Sequence, residues 1–104
     1  MISAAIDAEE TRLLDGRVIC YQPRRGYRSA IDPILMQATV PARPGDRVLD
    51  LGCGAGAAGL CLAHRVAGVT VTGLDIQEPL IALARESATA NGMAEAVRFV
   101  AGDL

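Results

Sequence analysis

Lysine is absent from this 104-residue chain, and all ten basic side chains are arginine. That bias reads as the mark of a GC-rich genome rather than of a binding surface. Tryptophan is absent too, and phenylalanine occurs once. The core therefore has to be assembled from Ala, Leu, Val and Ile, which dominate the apolar half of the composition. There is one histidine, His64, near the end of an expected helix and without a second imidazole to complete a metal set. The three cysteines, Cys20, Cys53 and Cys61, form no CxxC and are odd in number. They read as small buried thiols in a reducing compartment, not as a disulfide framework. A net charge of −2 gives no global attraction to nucleic acid. No apolar run approaches the length of a membrane span. Asp7, Glu9 and Glu10 replace the basic start of a signal peptide. No metal site is expected, and a cytoplasmic location is.

What is present is organised in alternating units. Residues 1–10 read as frayed or weakly helical. Leu13 to Tyr21 reads as two short strands around Asp15-Gly16, a pair that supplies the positive φ of a tight hairpin turn. A basic loop, Gln22 to Ser29, follows. Asp32-Pro33 starts a helix: the Asp accepts from free first-turn amides, and proline loses nothing at the first helical position. That helix ends before Pro41. A strand is expected over Arg47–Leu51, a helix from Ala57 to about Val66, and a strand over Val69–Leu74. A helix from Glu78-Pro79 to Asn91-Gly92 and a strand over Val97–Val100 complete the pattern. Strands alternating with helices over short links predict an α/β fold with a parallel sheet and right-handed crossovers. The expected division is 1–46, hairpin, basic entry loop and helix, and 47–104, the sheet unit.

The chemistry gathers at the ends of the strands. Asp50-Leu51-Gly52-Cys53-Gly54-Ala55-Gly56 is a strand end, a glycine-rich turn and the opening of a helix. The alternate glycines leave the backbone open to a ligand, and the helix start adds free amides and the positive end of its dipole. Asp75, with Ile76 beside it, ends the next strand, and Asp103 follows the third. Such a layout binds a nucleoside-containing cofactor at the carboxyl edge of a parallel sheet. Two cofactor classes fit the glycines, since Gly54 to Gly59 is also a formal GxGxxG. A dinucleotide would set its pyrophosphate on the turn, where Asp50 would repel it. S-adenosylmethionine carries an ammonium and a sulfonium and no phosphate, so Asp50 favours it. A purely structural glycine turn is the third reading. Asp75 suits ribose hydroxyls in either cofactor, and an ordinary strand-end acid is its plain alternative. Asp103, as a lone Gly-Asp, carries less.

These motifs resemble the first three of the class I S-adenosylmethionine-dependent methyltransferases. Upstream, Gln22-Pro-Arg-Arg-Gly26-Tyr27-Arg28-Ser-Ala-Ile-Asp32-Pro33 is similar to the entry segment of the bacterial tRNA(Val) adenine-N6-methyltransferases and their small-methyltransferase relatives. The resemblance spans residues 12–104 and implies a Rossmann-like fold of seven strands. Only the first β-α-β-α-β half, preceded by the hairpin and helix, would be written here. It implies that Asp50, Gly52, Gly54, Gly56, Asp75, Ile76 and Asp103 hold S-adenosylmethionine, with Tyr27, Arg28 and Asp32 over its methionine end. Arg24 and Arg25 would meet tRNA, although a solvated loop accounts for them equally well. Family members that methylate a base or amide nitrogen hold the acceptor with an Asn-Pro-Pro-aromatic motif, and no such motif occurs in these residues. No catalytic residue is assigned, and the chain alone is expected to be inactive. Methylation of a protein amide or small molecule, or cofactor binding without transfer, are the alternative functions. An open apolar edge at Arg47–Leu51 is expected to favour self-association.

Overall fold

The computed structural model describes residues 7–25 and 31–103, with the side chains of residues 31–34 outside that description. An antiparallel hairpin comes first: β1 (Ala8–Leu13) pairs with β2 (Val18–Pro23), from Ala8 opposite Pro23 to Leu13 opposite Val18. Its turn has positive φ at Asp15 (56°) and Gly16 (82°), and also at Leu14 (52°). Arg17 N–H closes it on Leu14 O at 3.2 Å. Three successive residues are thus left-handed, one more than the Asp-Gly pair whose positive φ matches the twist of the flanking strands. The expectation for residues 8–10 is corrected: they are strand, not frayed or helical. Ala8, Glu9 and Glu10 have little strand preference of their own. The ladder offered by Pro23, Gln22 and Tyr21 decides their conformation.

Helix α1 (Ile31–Ala38) stops short of Pro41 as expected but begins one residue before Asp32, so Asp32 and Pro33 stand inside its first turn and not at the cap and first position. Its last carbonyls are held from outside. The Arg65 guanidinium donates to Gln37 O at 2.8 Å and to Val40 O at 2.9 Å, and to Gln37 Oε1 at 3.2 Å. A cation at a helix carboxyl end satisfies free carbonyls and the dipole together. Arg65 is the last residue of α2 (Ala57–Arg65), so this one side chain fastens α1 to α2.

Three strands, β3 (Arg47–Leu51), β4 (Thr70–Asp75) and β5 (Val97–Ala101), form a parallel sheet in the order β3-β4-β5. α2 links the first pair, and α3 (Glu78–Ala90) links the second. β3 has the expected bounds, while β4 and β5 each run one residue further at the carboxyl end. The register sets Leu51 beside Leu74 and Asp75 beside Ala101, so all three strands end at one level. Residues alternate between faces. Val71, Gly73, Asp75, Val97 and Phe99 are buried, whereas Thr70, Thr72, Arg98 and Val100 are exposed. Leu49 and Leu51 of β3 are 60% and 52% exposed, and among the described residues only β4 pairs with β3.

The hairpin joins the same core. Val18 and Cys20 are fully buried with Leu60, Val71, Ile81 and Phe99. Phe99, the one phenylalanine, stands where two glycines leave room. A Cβ at Gly56 would lie 2.6 Å from its ring, and one at Gly73 would lie 2.7 Å from it. Both glycines are thus needed for packing, in a core too poor in aromatics to fill the space otherwise.

Candidate functional site

The glycine turn is pinned to the end of β4. Gly52 N–H and Cys53 N–H both donate to Leu74 O, at 2.7 and 3.1 Å. Gly54 N–H donates to Asp75 Oδ2 at 2.9 Å. The other carboxylate oxygen, Oδ1, accepts from Gln77 N–H at 2.9 Å, just before α3 begins. Asp75 is buried and bridges the glycine turn to the start of the next helix. Such charge-assisted bonds are stronger than neutral ones.

Gly54 itself has φ +56°, and an added Cβ would meet nothing within 4 Å. Its space is open, unlike that of Gly56, whose backbone (φ +91°) is pressed against Phe99 and Ala84. The three glycines of the motif therefore differ. Gly52 and Gly54 face room, and Gly56 is a packing residue.

Beyond the turn lies a cleft of about 280 Å³ lined by Leu51, Gly52, Leu74, Asp75, Ile76, Gly102 and Asp103. Ile76, 68% exposed, overhangs it. A wider, shallower hollow of about 610 Å³ shares Ile76, Gly102 and Asp103 and extends over Gln77, Glu78 and Pro79. Together they form a trough across the carboxyl ends of β4 and β5, where open α/β sheets take their ligands. Among the expected site residues, Gly52, Asp75, Ile76 and Asp103 meet here; Gly54 and Gly56 are outside this lining, and Gly54 joins it through its bond to Asp75.

Asp50 is half-buried, less so than Asp75, and lines not the trough but a separate hollow of about 210 Å³ with Met36, Gln37, Val40 and Leu62. Burial and the neighbouring Asp75 hold its carboxyl above the usual carboxylate range. Burial, and after it Asp50 and Asp75, push the Cys53 thiol up to about 12, so it stays neutral. A carboxyl that binds its proton more tightly in the folded state favours folding when protonated. Stability from this group is present at low pH and falls as pH rises from the ordinary range through the raised value. This half-buried carboxyl thus opposes folding at pH 7, and a cationic ligand beside it would offset the cost of its charge. Asp50→Asn is expected to raise the melting temperature of the unliganded chain at pH 7. Near pH 3, below the ordinary aspartate value of about 3.9, the gain should vanish. Thermal unfolding at the two pH values checks this, and an equal shift at both would contradict it.

The basic segment is only partly described. Arg24 is engaged with Asp7 at 3.2 Å and Glu9 at 3.6 Å, across the open end of the hairpin. Arg25 is exposed. Tyr27 and Arg28 lie outside the described residues. Asp32 falls in α1, but its side chain lies outside them too. Among the described residues no cluster of His, Cys, Asp and Glu could hold a metal, and no helix is long and apolar enough to cross a membrane. Gln77, Glu78 and Leu74 were not singled out by the motif. Their sign in the sequence is position alone, beside a strand-end acid.

A family model described as "Methyltransferase domain" matches residues 42–104. The chain is 35% identical over 82 residues to the tRNA1(Val) (adenine(37)-N6)-methyltransferase of Dickeya chrysanthemi, covering 78% of this chain and 32% of that protein. It is 40% identical over 67 residues to a 23S rRNA (uracil(1939)-C(5))-methyltransferase of Acidithiobacillus ferrooxidans, covering 64% and 15%. Among solved structures, it is similar to a SAM-dependent methyltransferase from Geobacter sulfurreducens in complex with S-adenosyl-L-homocysteine. There the TM-score is 0.62 at 33% identity, over 72% of this chain and 30% of that one. The chain thus spans a third or less of the length of these relatives.

Proposed function

Since the chain belongs to the class I S-adenosylmethionine-dependent methyltransferases, we propose that its trough holds S-adenosylmethionine and that the protein modifies an adenine amine in tRNA. The observation that carries the cofactor reading is the pair of carboxylates, Asp50 and Asp75, flanking the glycine turn. Each oxygen of Asp75 accepts one backbone amide. A carboxylate offers about four acceptor sites, so each oxygen keeps one for a ribose hydroxyl. Asp50 supplies negative charge near the turn, which suits a sulfonium and an ammonium and repels a pyrophosphate. Ile76 offers an apolar surface for a base, and Asp103 shares the lining of both hollows.

When bound, S-adenosylmethionine supplies an electrophilic methyl group on sulfur. The residues of this chain bind and orient it. They include no Asn-Pro-Pro-aromatic segment to hold an acceptor amine, so we assign them cofactor binding and not acceptor positioning. Transfer to nitrogen is chiefly a matter of alignment.

The tRNA reading is supported by the adenine-N6-methyltransferase relative and by the basic segment. Arginines beside a tyrosine can grip phosphates and stack on unpaired bases. Arg24 is shared with Asp7 and Glu9, which leaves Arg25 and Arg28 the larger part. Such a protein works in the cytoplasm. Replacing Arg24, Arg25 and Arg28 together by alanine should weaken binding of a tRNA transcript and flatten its salt dependence. Equal affinity of wild type and variant across a salt series would return the segment to a solvated loop and remove this support for tRNA.

A further inference from the structure

The hairpin lies outside the residues matched by the family model, yet side chains of α3 and of the residue that caps it, Asn91, complete its hydrogen bonding. Ile19 N–H donates to Asn91 Oδ1 at 2.8 Å, and Asn91 Nδ2 donates back to Ile19 O at 2.6 Å. One amide thus meets both polar groups of one strand residue, as a neighbouring strand would. Asn91 Nδ2 also donates to Ser87 O at 2.7 Å, which fixes its rotamer. Two residues along β2, Tyr21 N–H donates to Ser87 Oγ at 2.8 Å. The spacings agree. Four residues of helix rise about 6 Å, and two residues of strand rise about 6.6 Å. Ser87 and Asn91 therefore reach the free edge of β2 at successive outward amides.

Between those two anchors sits Cys20, fully buried. Its thiol donates to Ala55 O at 3.8 Å, the carbonyl between Gly54 and Gly56. Burial and nearby Cys61 push that thiol up to about 12, so it remains a neutral donor.

We infer that Ser87 and Asn91 are positioning residues for the glycine turn: they fix β2 at the height where Cys20 backs Ala55. The turn is then held on two sides, by Asp75 in front and by the hairpin behind. The effect on cofactor rests on the function proposed above, but the effect on the turn does not.

Amide hydrogen exchange on the whole chain tests this, with Asn91→Ala and the isosteric Asn91→Asp, alongside calorimetry with S-adenosylhomocysteine. In Asn91→Ala the Ile19 amide loses its acceptor and should exchange about tenfold faster or more, the equivalent of roughly one lost hydrogen bond. Gly54 and Gly56 should follow severalfold, while Val71 and Val97 in the sheet keep their protection. Affinity for S-adenosylhomocysteine should fall severalfold. The Asp variant keeps an acceptor for the Ile19 amide but sets a carboxylate against Ile19 O and Ser87 O, to which it cannot donate, so Gly54 and Gly56 should lose protection in it as well. Wild-type exchange at Gly54 and Gly56 in the Ala variant, where every side-chain bond of Asn91 is gone, would reduce it to a space-filler and overturn the inference. So would a uniform loss of protection across the sheet. If the wild-type chain takes up no S-adenosylhomocysteine, the cofactor reading fails, and exchange at Gly54 and Gly56 still decides the inference.

Discussion

Asp75→Ala is expected to weaken S-adenosylhomocysteine binding by about 1.5–3 kcal/mol, the range for losing a charged hydrogen-bonding partner. The loss should extend beyond the ligand. Both oxygens of Asp75 accept backbone amides, from Gly54 and Gln77. Alanine leaves those donors without a partner, at about 1–3 kcal/mol each where water cannot reach them. The unliganded variant should therefore unfold at lower denaturant, and the Gly54 amide should lose its exchange protection. Calorimetry and urea unfolding measure the two losses separately. A variant that loses affinity with full stability would show that Asp75 serves the ligand alone. One that loses stability with full affinity would remove it from the binding site.

Gly54→Val is expected to abolish cofactor binding and leave the sheet formed. The unliganded protein has room for the side chain, because an added Cβ meets no atom within 4 Å. What resists is the backbone, at φ +56°, which costs an L-residue about 1–2 kcal/mol and a β-branched one more. The valine would stand in the open space beside the turn, next to the cleft lined by Gly52 and Asp75 where the proposal sets the ligand. Circular dichroism close to wild type with no heat of binding is the expected result. Unaltered affinity would mean that the turn does not face a ligand. Gly56→Val would not make this distinction, since its Cβ collides with Phe99 in the core.

Much of this arrangement is legible in the sequence, and the limits have physical causes. Arg47–Leu51 is plain as a strand because an apolar run meets a glycine turn. Asp75 and Asp103 are visible because strand ends in such folds carry acids to one edge. The hairpin announces itself by Asp15-Gly16. Glu9 and Glu10 do not announce a strand, since their conformation is set by a partner and not by their own preference. The Asp75–Gly54 bond leaves no trace either, because any residue at 54 except proline presents the same amide. Gly56 reads as ligand-facing when only its motif is seen. Its contact with Phe99, far along the chain, appears only in three dimensions. Asn91 reads as a helix terminator beside Gly92, and it is one. Its bonds to Ile19 span 72 residues and depend on how the hairpin docks.

The central claim is that the trough at the carboxyl edge takes S-adenosylmethionine and not a dinucleotide. The most direct measurement is a titration of the 15N-labelled chain, in parallel, with S-adenosylhomocysteine and with NADH. Saturable shifts with the first, centred on Gly52, Gly54, Asp75, Ile76 and Asp103 and weak or absent with NADH, are the result expected. Saturable binding of NADH at those residues, with no response to S-adenosylhomocysteine, would contradict it.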